Sequence, residues 1–282
     1  MRKKILLPTD FSENAENAIK YAIELYKNEE CDFHILNVFH TSGFATDNIM
    51  VPEVAEIAYK SVKETSEKGL KETLEKFQEE SLSNHDFFTI SNFNSLLHSI
   101  DEIVEKENID LIVMGTQGAT NAADIIFGSN TVMVMEEERD CPVLAIPKDV
   151  NFKKPKEIVF PTSYNTHYKR RELEHLIKLA FNNKAAIRVL HVEKKKEHQL
   201  APLQKINKEL LEEYFEGLDY SFHLIYNVEV KTALDCFVQS RDSDMIAFIN
   251  KKHGFIDSIF TRHLVQELGY KSKVPVLTMH DL

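Results

Sequence analysis

Glycine is scarce in this chain: only 8 of its 282 residues are glycine, well under the roughly 7% usual in soluble proteins. Wherever these few cluster, a local cause is required. Cysteine is rarer still. Cys31, Cys141 and Cys236 are odd in number and form no C-x-x-C pair, which excludes a disulfide framework and a zinc knuckle and fits a reducing compartment. No apolar run approaches the roughly 18–20 residues that span a bilayer. Met1-Arg2-Lys3-Lys4 leads straight into Ile5-Leu6-Leu7 without the apolar core of a signal peptide. A cytoplasmic protein with no membrane partner is expected. Positive charge is also short, with 34 Lys and Arg against 45 Asp and Glu, a net charge of −11. Nucleic acids and anionic membranes need clustered cations, so neither is an expected partner, and Lys194-Lys195-Lys196 reads as a solvated loop.

What the chain does have is a repeat of itself. Lys4-Ile5-Leu6-Leu7-Pro8-Thr9 returns as Glu157-Ile158-Val159-Phe160-Pro161-Thr162, and His34-Ile35-Leu36-Asn37-Val38 as Arg188-Val189-Leu190-His191-Val192. Asp110-Leu111-Ile112-Val113-Met114 returns as Asp244-Met245-Ile246-Ala247-Phe248, and Cys141-Pro142-Val143-Leu144-Ala145-Ile146 as Val274-Pro275-Val276-Leu277-Thr278-Met279. Four matches in one order imply duplication, with a boundary in the charged, proline-containing stretch 149–156. The domains expected are 1–148 and 157–282.

Within the first half, apolar runs of strand length at 5–7, 33–39, 87–90, 111–114 and 143–146 alternate with helical periodicity. Ala15, Ala18, Ile19, Ala22, Ile23 and Tyr26 have the spacing of one buried helix face, and Ser12 suits its N-cap. Continuous apolar strands joined by helices predict a parallel sheet covered on both faces. Each half is therefore expected to be an open α/β unit. Residues 52–80 read as an exposed, charged helix with few core contacts.

Three of the eight glycines fall in 115–128, between the strand 111–114 and a helix containing Val132 and Met135. Glycine lets backbone approach an oxygen-rich ligand that a Cβ would obstruct. Gly128-Ser129-Asn130 opens a helix, whose free amides and positive dipole end favour an anion. Gly115 and Gly118 could otherwise merely turn the chain, and Ser129 merely cap a helix. The full spacing of Gly, two residues, Gly, nine residues and Gly-Ser is more specific than either half of it.

This G-x-x-G-x9-G-S loop, with Pro8-Thr9-Asp10-Phe11-Ser12 after the first strand, resembles the nucleotide-binding members of the universal stress protein family. The resemblance extends over the chain as two tandem domains. It implies two doubly wound, open, parallel five-stranded sheets in the order 3-2-1-4-5 with helices on both faces, and ATP as ligand, with Mg2+ as a candidate companion on the phosphates. It further implies that Asp10 and Val38 hold the adenosine, with Pro8, Thr9 and Met114 beside them and Gly115, Gly118, Gly128, Ser129 and Asn130 on the phosphates. The order 3-2-1-4-5 reverses between strands one and four, where open parallel sheets bind ligands. Asp10 has a plainer reading as a helix-start carboxylate.

Catalytic equipment is sparse. The loop has no lysine or arginine between Thr116 and Thr131 and is not a Walker sequence, whereas fast phosphoryl transfer needs charge clamps and a positioned nucleophile. No metal-binding histidine spacing occurs, and His253 with His263 is the one pair worth naming. The expectation is an ATP-binding sensor or interaction module with slow hydrolysis at most. The alternatives are a slow metal-dependent ATPase or nucleotide-transferring enzyme using Asp10, and a nucleotide-free scaffold. In the second half Ser163 replaces Asp10, Ile249 and Lys252 fall at the first two glycine positions, and Arg262-His263 replaces Gly-Ser. That half is expected not to bind ATP in the family's way. It would serve as an internal pseudo-dimer partner through strands 142–146 and 275–279, and the whole chain could form a homodimer.

Overall fold

The structure is a computed structural model that describes residues 2–40, 52–79, 83–116, 128–193, 199–251 and 272–281. The first half runs β1 (Lys3–Pro8), α1 (Glu13–Leu25), β2 (Cys31–Phe39), α2 (Pro52–Glu79), β3 (His85–Phe93), α3 (Leu96–Glu107), β4 (Leu111–Gly115), α4 (Ser129–Glu137) and β5 (Val143–Ile146). The second runs β6 (Glu157–Pro161), a 3-10 turn at Arg170–Leu173, α5 (Glu174–Asn183), β7 (Ala186–Glu193), α6 (Pro202–Tyr214), β8 (Tyr220–Tyr226), α7 (Val230–Arg241), β9 (Met245–Asn250) and β10 (Val276–His280).

These strands share one sheet in the order β3-β2-β1-β4-β5-β10-β9-β6-β7-β8, so each half has the order 3-2-1-4-5 and is parallel throughout. The two five-stranded units are joined rather than separate. β5 and β10 pair antiparallel, with Val276 opposite Ala145, Leu277 opposite Leu144 and Thr278 opposite Val143. Pairing these edges removes two rows of unbonded backbone groups from solvent.

Side chains alternate across the sheet, so Ile5 and Leu7 enter one core layer and Leu6 the other. The first layer, under α1, α2 and α5, also holds Phe33, Phe77, Phe160 and Phe215, all fully buried. The second, under α3, α4 and α7, holds Leu36, Ile100, Val134 and Val159. Both layers run through both halves. α1 behaves as its spacing predicts, burying Ala15, Ala18, Ile19 and Ala22, while Ser12 Oγ accepts from the Ala15 amide at 3.2 Å.

Two elements differ from the sequence expectation in detail. α2 does carry exposed pairs such as Lys60–Glu56 and Lys71–Glu75, yet it buries a stripe of Ser66, Leu70, Thr73 and Phe77. Two polar members dilute that stripe's apolar signal. β3 runs well beyond 87–90; the apolar run understates it because this edge strand is half exposed along its length and polar residues interrupt the pattern. Among the described residues no helix is long and apolar enough to cross a membrane.

Candidate functional site

The chain leaves β1 through a tight turn built by its own polar side chains. Thr9 Oγ1 accepts from the Phe11 amide at 3.0 Å, and Asp10 Oδ1 accepts from the Ser12 amide at 3.1 Å. Phe11 is driven to φ 63°, a conformation disfavoured for a bulky residue and concentrated at functional turns. Its ring lies against Gly69, where an added Cβ would come within 2.6 Å of it. Asn37, 7% exposed in β2, donates from Nδ2 to the Thr9 carbonyl at 2.7 Å. This bond fixes the turn to the adjacent strand and leaves Asp10 exposed at the rim.

Across the order reversal, β4 ends at Gly115 beside β1. The Gly128 amide donates to the Thr116 carbonyl, and Thr131 Oγ1 donates to the Gly115 carbonyl at 2.8 Å. These bonds clip the start of α4 onto the end of β4. The amides of Thr131 and Val132 both reach the Gly128 carbonyl, but no acceptor among the described residues meets those of Ser129 and Asn130, and both residues are exposed. Such first-turn amides carry the positive end of the helix dipole. Thr116 is fully buried, and its hydroxyl has no partner among the described residues.

The predicted residues Pro8, Thr9 and Asp10, Val38, Met114 and Gly115, and Gly128, Ser129 and Asn130 thus stand at the carboxyl ends of β1, β2 and β4 and at the start of α4. Gly118, Lys252, His253, Arg262 and His263 lie outside the described residues. Met114 is buried in the second core layer and Val38 packs against it. Gly115 has a packing role of its own, because a Cβ there would sit 2.7 Å from Asn14 Nδ2 and 2.8 Å from the Asn14 carbonyl. Sequence reasoning missed Asn37, Thr116 and Thr131. For Asn37 a signal existed, since it is a polar residue inside a buried strand and the repeat places the polar His191 opposite it.

The family description of the universal stress proteins matches residues 1–147. The chain belongs to the universal stress protein family. Universal stress proteins MJ0531 and MJ0577 of Methanocaldococcus jannaschii are 31% identical to it over 155 residues and 30% identical over 161. Each alignment takes in 52% of this chain, and 82% and 96% of the respective relative. The solved structure of a universal stress protein from Archaeoglobus fulgidus matches over 98% of this chain and 95% of its own, with a TM-score of 0.69 at 19% identity. Likeness of fold to that universal stress protein therefore runs through both halves.

The second half of this universal stress protein repeats the β1 turn bond for bond. His191 Nδ1 donates to the Thr162 carbonyl at 2.8 Å, Thr162 Oγ1 accepts from the Tyr164 amide at 3.0 Å, and Ser163 Oγ accepts from the Asn165 amide at 3.2 Å. Tyr164 takes φ 57° where Phe11 takes 63°. The space beyond the strands is used differently. Gln204 Nε2 and Asn207 Nδ2, both buried in α6, donate to the carbonyls of Ser163 at 2.9 Å and Tyr164 at 2.7 Å. Ile249 occupies the place of Gly115. Beyond it Lys251 Nζ donates to the His167 carbonyl at 2.9 Å, stands 3.5 Å from Glu172 Oε2, and lies 5.1 Å from the centre of the Tyr168 ring. Among the described residues, the protein's own side chains bond the carbonyls of Ser163, Tyr164 and His167 at this end of the second half.

Proposed function

We propose that the first half of this universal stress protein binds ATP at the switch point between β1 and β4. The amides of Ser129 and Asn130, aimed out of a helix clipped to β4, carry the reading. Among the described residues they are two exposed donors without acceptors, next to the turn that presents Asp10. The phosphates lie on Gly128, Ser129 and Asn130 with Gly118 in the same loop, the ribose and base lie along Pro8, Thr9 and Asp10, and Val38 and Met114 flank the base. The buried Thr116 hydroxyl suits the same polar ligand. A Mg2+ ion on the phosphates is compatible with an exposed Asp10.

Loop and turn bring no cation between Thr116 and Thr131, so the bound nucleotide is retained or hydrolysed slowly, and the protein works as a cytoplasmic nucleotide-dependent sensor or interaction module. The second half, where Ile249 stands in place of Gly115 and Lys251 is engaged by His167, Glu172 and Tyr168, does not bind ATP in this way. It acts through the β5–β10 pairing as an internal pseudo-dimer partner.

Ser129→Pro is the direct test. Ser129 is the first helical residue and Gly128 before it has φ −65° and ψ 153°, the conformation required before proline. The substitution removes one donor amide and one hydroxyl while leaving the helix intact. ATP affinity measured by calorimetry is expected to fall by about tenfold or more, the loss of roughly one charge-assisted bond. Unchanged affinity in folded Ser129→Pro would place the phosphates elsewhere.

A further inference from the structure

Helix α4 is held at both ends, and the hold on its far end comes from the other half of the chain. Asn250 Nδ2 donates to the carbonyls of Met135 at 3.3 Å and Glu136 at 3.2 Å, and His280 Nε2 donates to the Met135 carbonyl at 3.1 Å. In the opposite direction Arg139, just past the helix, donates from Nη1 to the Asn250 carbonyl at 2.7 Å. Asn250 is 4% exposed and His280 5%. The last carbonyls of a helix have no partner within it and carry its negative end. Here buried side chains from β9 and β10 supply the missing donors.

The duplication shows that these two donor side chains are particular to the second half. Ile5 pairs with Leu111 as Ile158 pairs with Met245, and Gly115 pairs with Ile146 as Ile249 pairs with Met279. Asn250 therefore stands where the first half has Thr116, and His280 where it has Pro147. Proline has no side-chain donor, and the short, buried Thr116 side chain makes no hydrogen bond among the described residues. The half that carries Ile249 in place of a glycine carries, one position on from the Ile249–Met279 pair, the paired Asn250 and His280, both bonded to its neighbour's helix.

We propose that Asn250 and His280 are positioning residues for the anion site at Ser129 and Asn130, setting its affinity by fixing α4 from behind. This rests on the nucleotide reading of that site. α4 has nine residues, a rigid rod of about 13 Å, so an angular change at Met135 and Glu136 moves the donor amides directly. Donors held in place before binding lose little freedom when the ligand arrives. The second half thus contributes to the site through the far end of α4.

The test measures Mg-ATP affinity by calorimetry and, in ligand-free protein, amide hydrogen exchange along α4. In Asn250→Ala and in His280→Leu the dissociation constant is expected to rise about tenfold. His280→Gln, which keeps a donor, stays within about twofold of the parent. Leu277→Ala, a core truncation in β10 that touches neither carbonyl, controls for general destabilisation and leaves affinity unchanged in the folded fraction. Amides 134–138 are expected to exchange about tenfold faster in Asn250→Ala and not in Leu277→Ala. Unchanged α4 exchange in Asn250→Ala, or an affinity loss in Leu277→Ala equal to that in Asn250→Ala, overturns the proposal. If the parent protein binds no ATP, the nucleotide reading fails by itself and the exchange arm still decides whether the clamp positions α4.

Discussion

Asn37 donates its side-chain amide to the carbonyl of Thr9 across 2.7 Å, and this bond ties the turn that presents Asp10 to the neighbouring strand. His191 makes the corresponding bond to Thr162 at 2.8 Å, so two different side chains preserve one function of the duplicated turn: satisfying a buried carbonyl where the chain leaves its first strand.

Replacing Asn37 with Leu strands that carbonyl. The expected destabilisation is about 1–3 kcal/mol, read as a lower urea midpoint. Asn37→His, copying the second half, is expected to recover much of the loss. Equal destabilisation by Leu and His would mean that strand packing, not the bond, matters at this position.

Gly115→Ala tests whether the first loop glycine is there for the ligand or for the helix. The new Cβ would meet both the side chain and the backbone carbonyl of Asn14, and backbone cannot swing aside. Overpacking of this kind costs about 1–3 kcal/mol, so the thermal midpoint of ligand-free protein is expected to drop. Asn14→Ala added to Gly115→Ala should restore only part of it. A ligand-free midpoint equal to the parent's would assign Gly115 to the ligand alone.

The frame of the molecule was legible because its causes are local. The four repeated segments became β1, β2, β4 and β5 and their counterparts β6, β7, β9 and β10, and the α1 stripe with its Ser12 cap is where its spacing puts it. Less legible were features that depend on partners distant in sequence. Ser66 and Thr73 carry no apolar signal, yet they face the sheet because Leu70 and Phe77 share their stripe. The Thr131 bond to Gly115 and the Asn250 bonds to Met135 and Glu136 link residues that no periodicity connects. The packing of Gly115 against Asn14 was hidden for a different reason, since a glycine that admits a ligand and one that admits a helix look alike in sequence.

His280 gives the protein a defined sensitivity to acid. Burial lowers its pKa from 6.5 to about 4, and its neutral ring donates from Nε2 to the helix carbonyl. Between those two values the unfolded chain binds more protons than the folded one, so stability is lost as pH falls from about 6.5 toward 4, and this contribution stops growing below that. A shift of this size corresponds to roughly 3 kcal/mol. Denaturant titrations from pH 7 to pH 4 are expected to show a shallower decline in His280→Gln than in the parent. Parallel declines would mean that His280 titrates normally and is not buried against α4.

The central claim is an asymmetry: two copies of one fold, one nucleotide site. Calorimetric titration of the full chain with Mg-ATP tests it most directly. One site per chain is predicted, weakened by Ser129→Pro and indifferent to Lys251→Ala in the second half. Two equivalent sites per chain, or one site weakened by Lys251→Ala and not by Ser129→Pro, would contradict it.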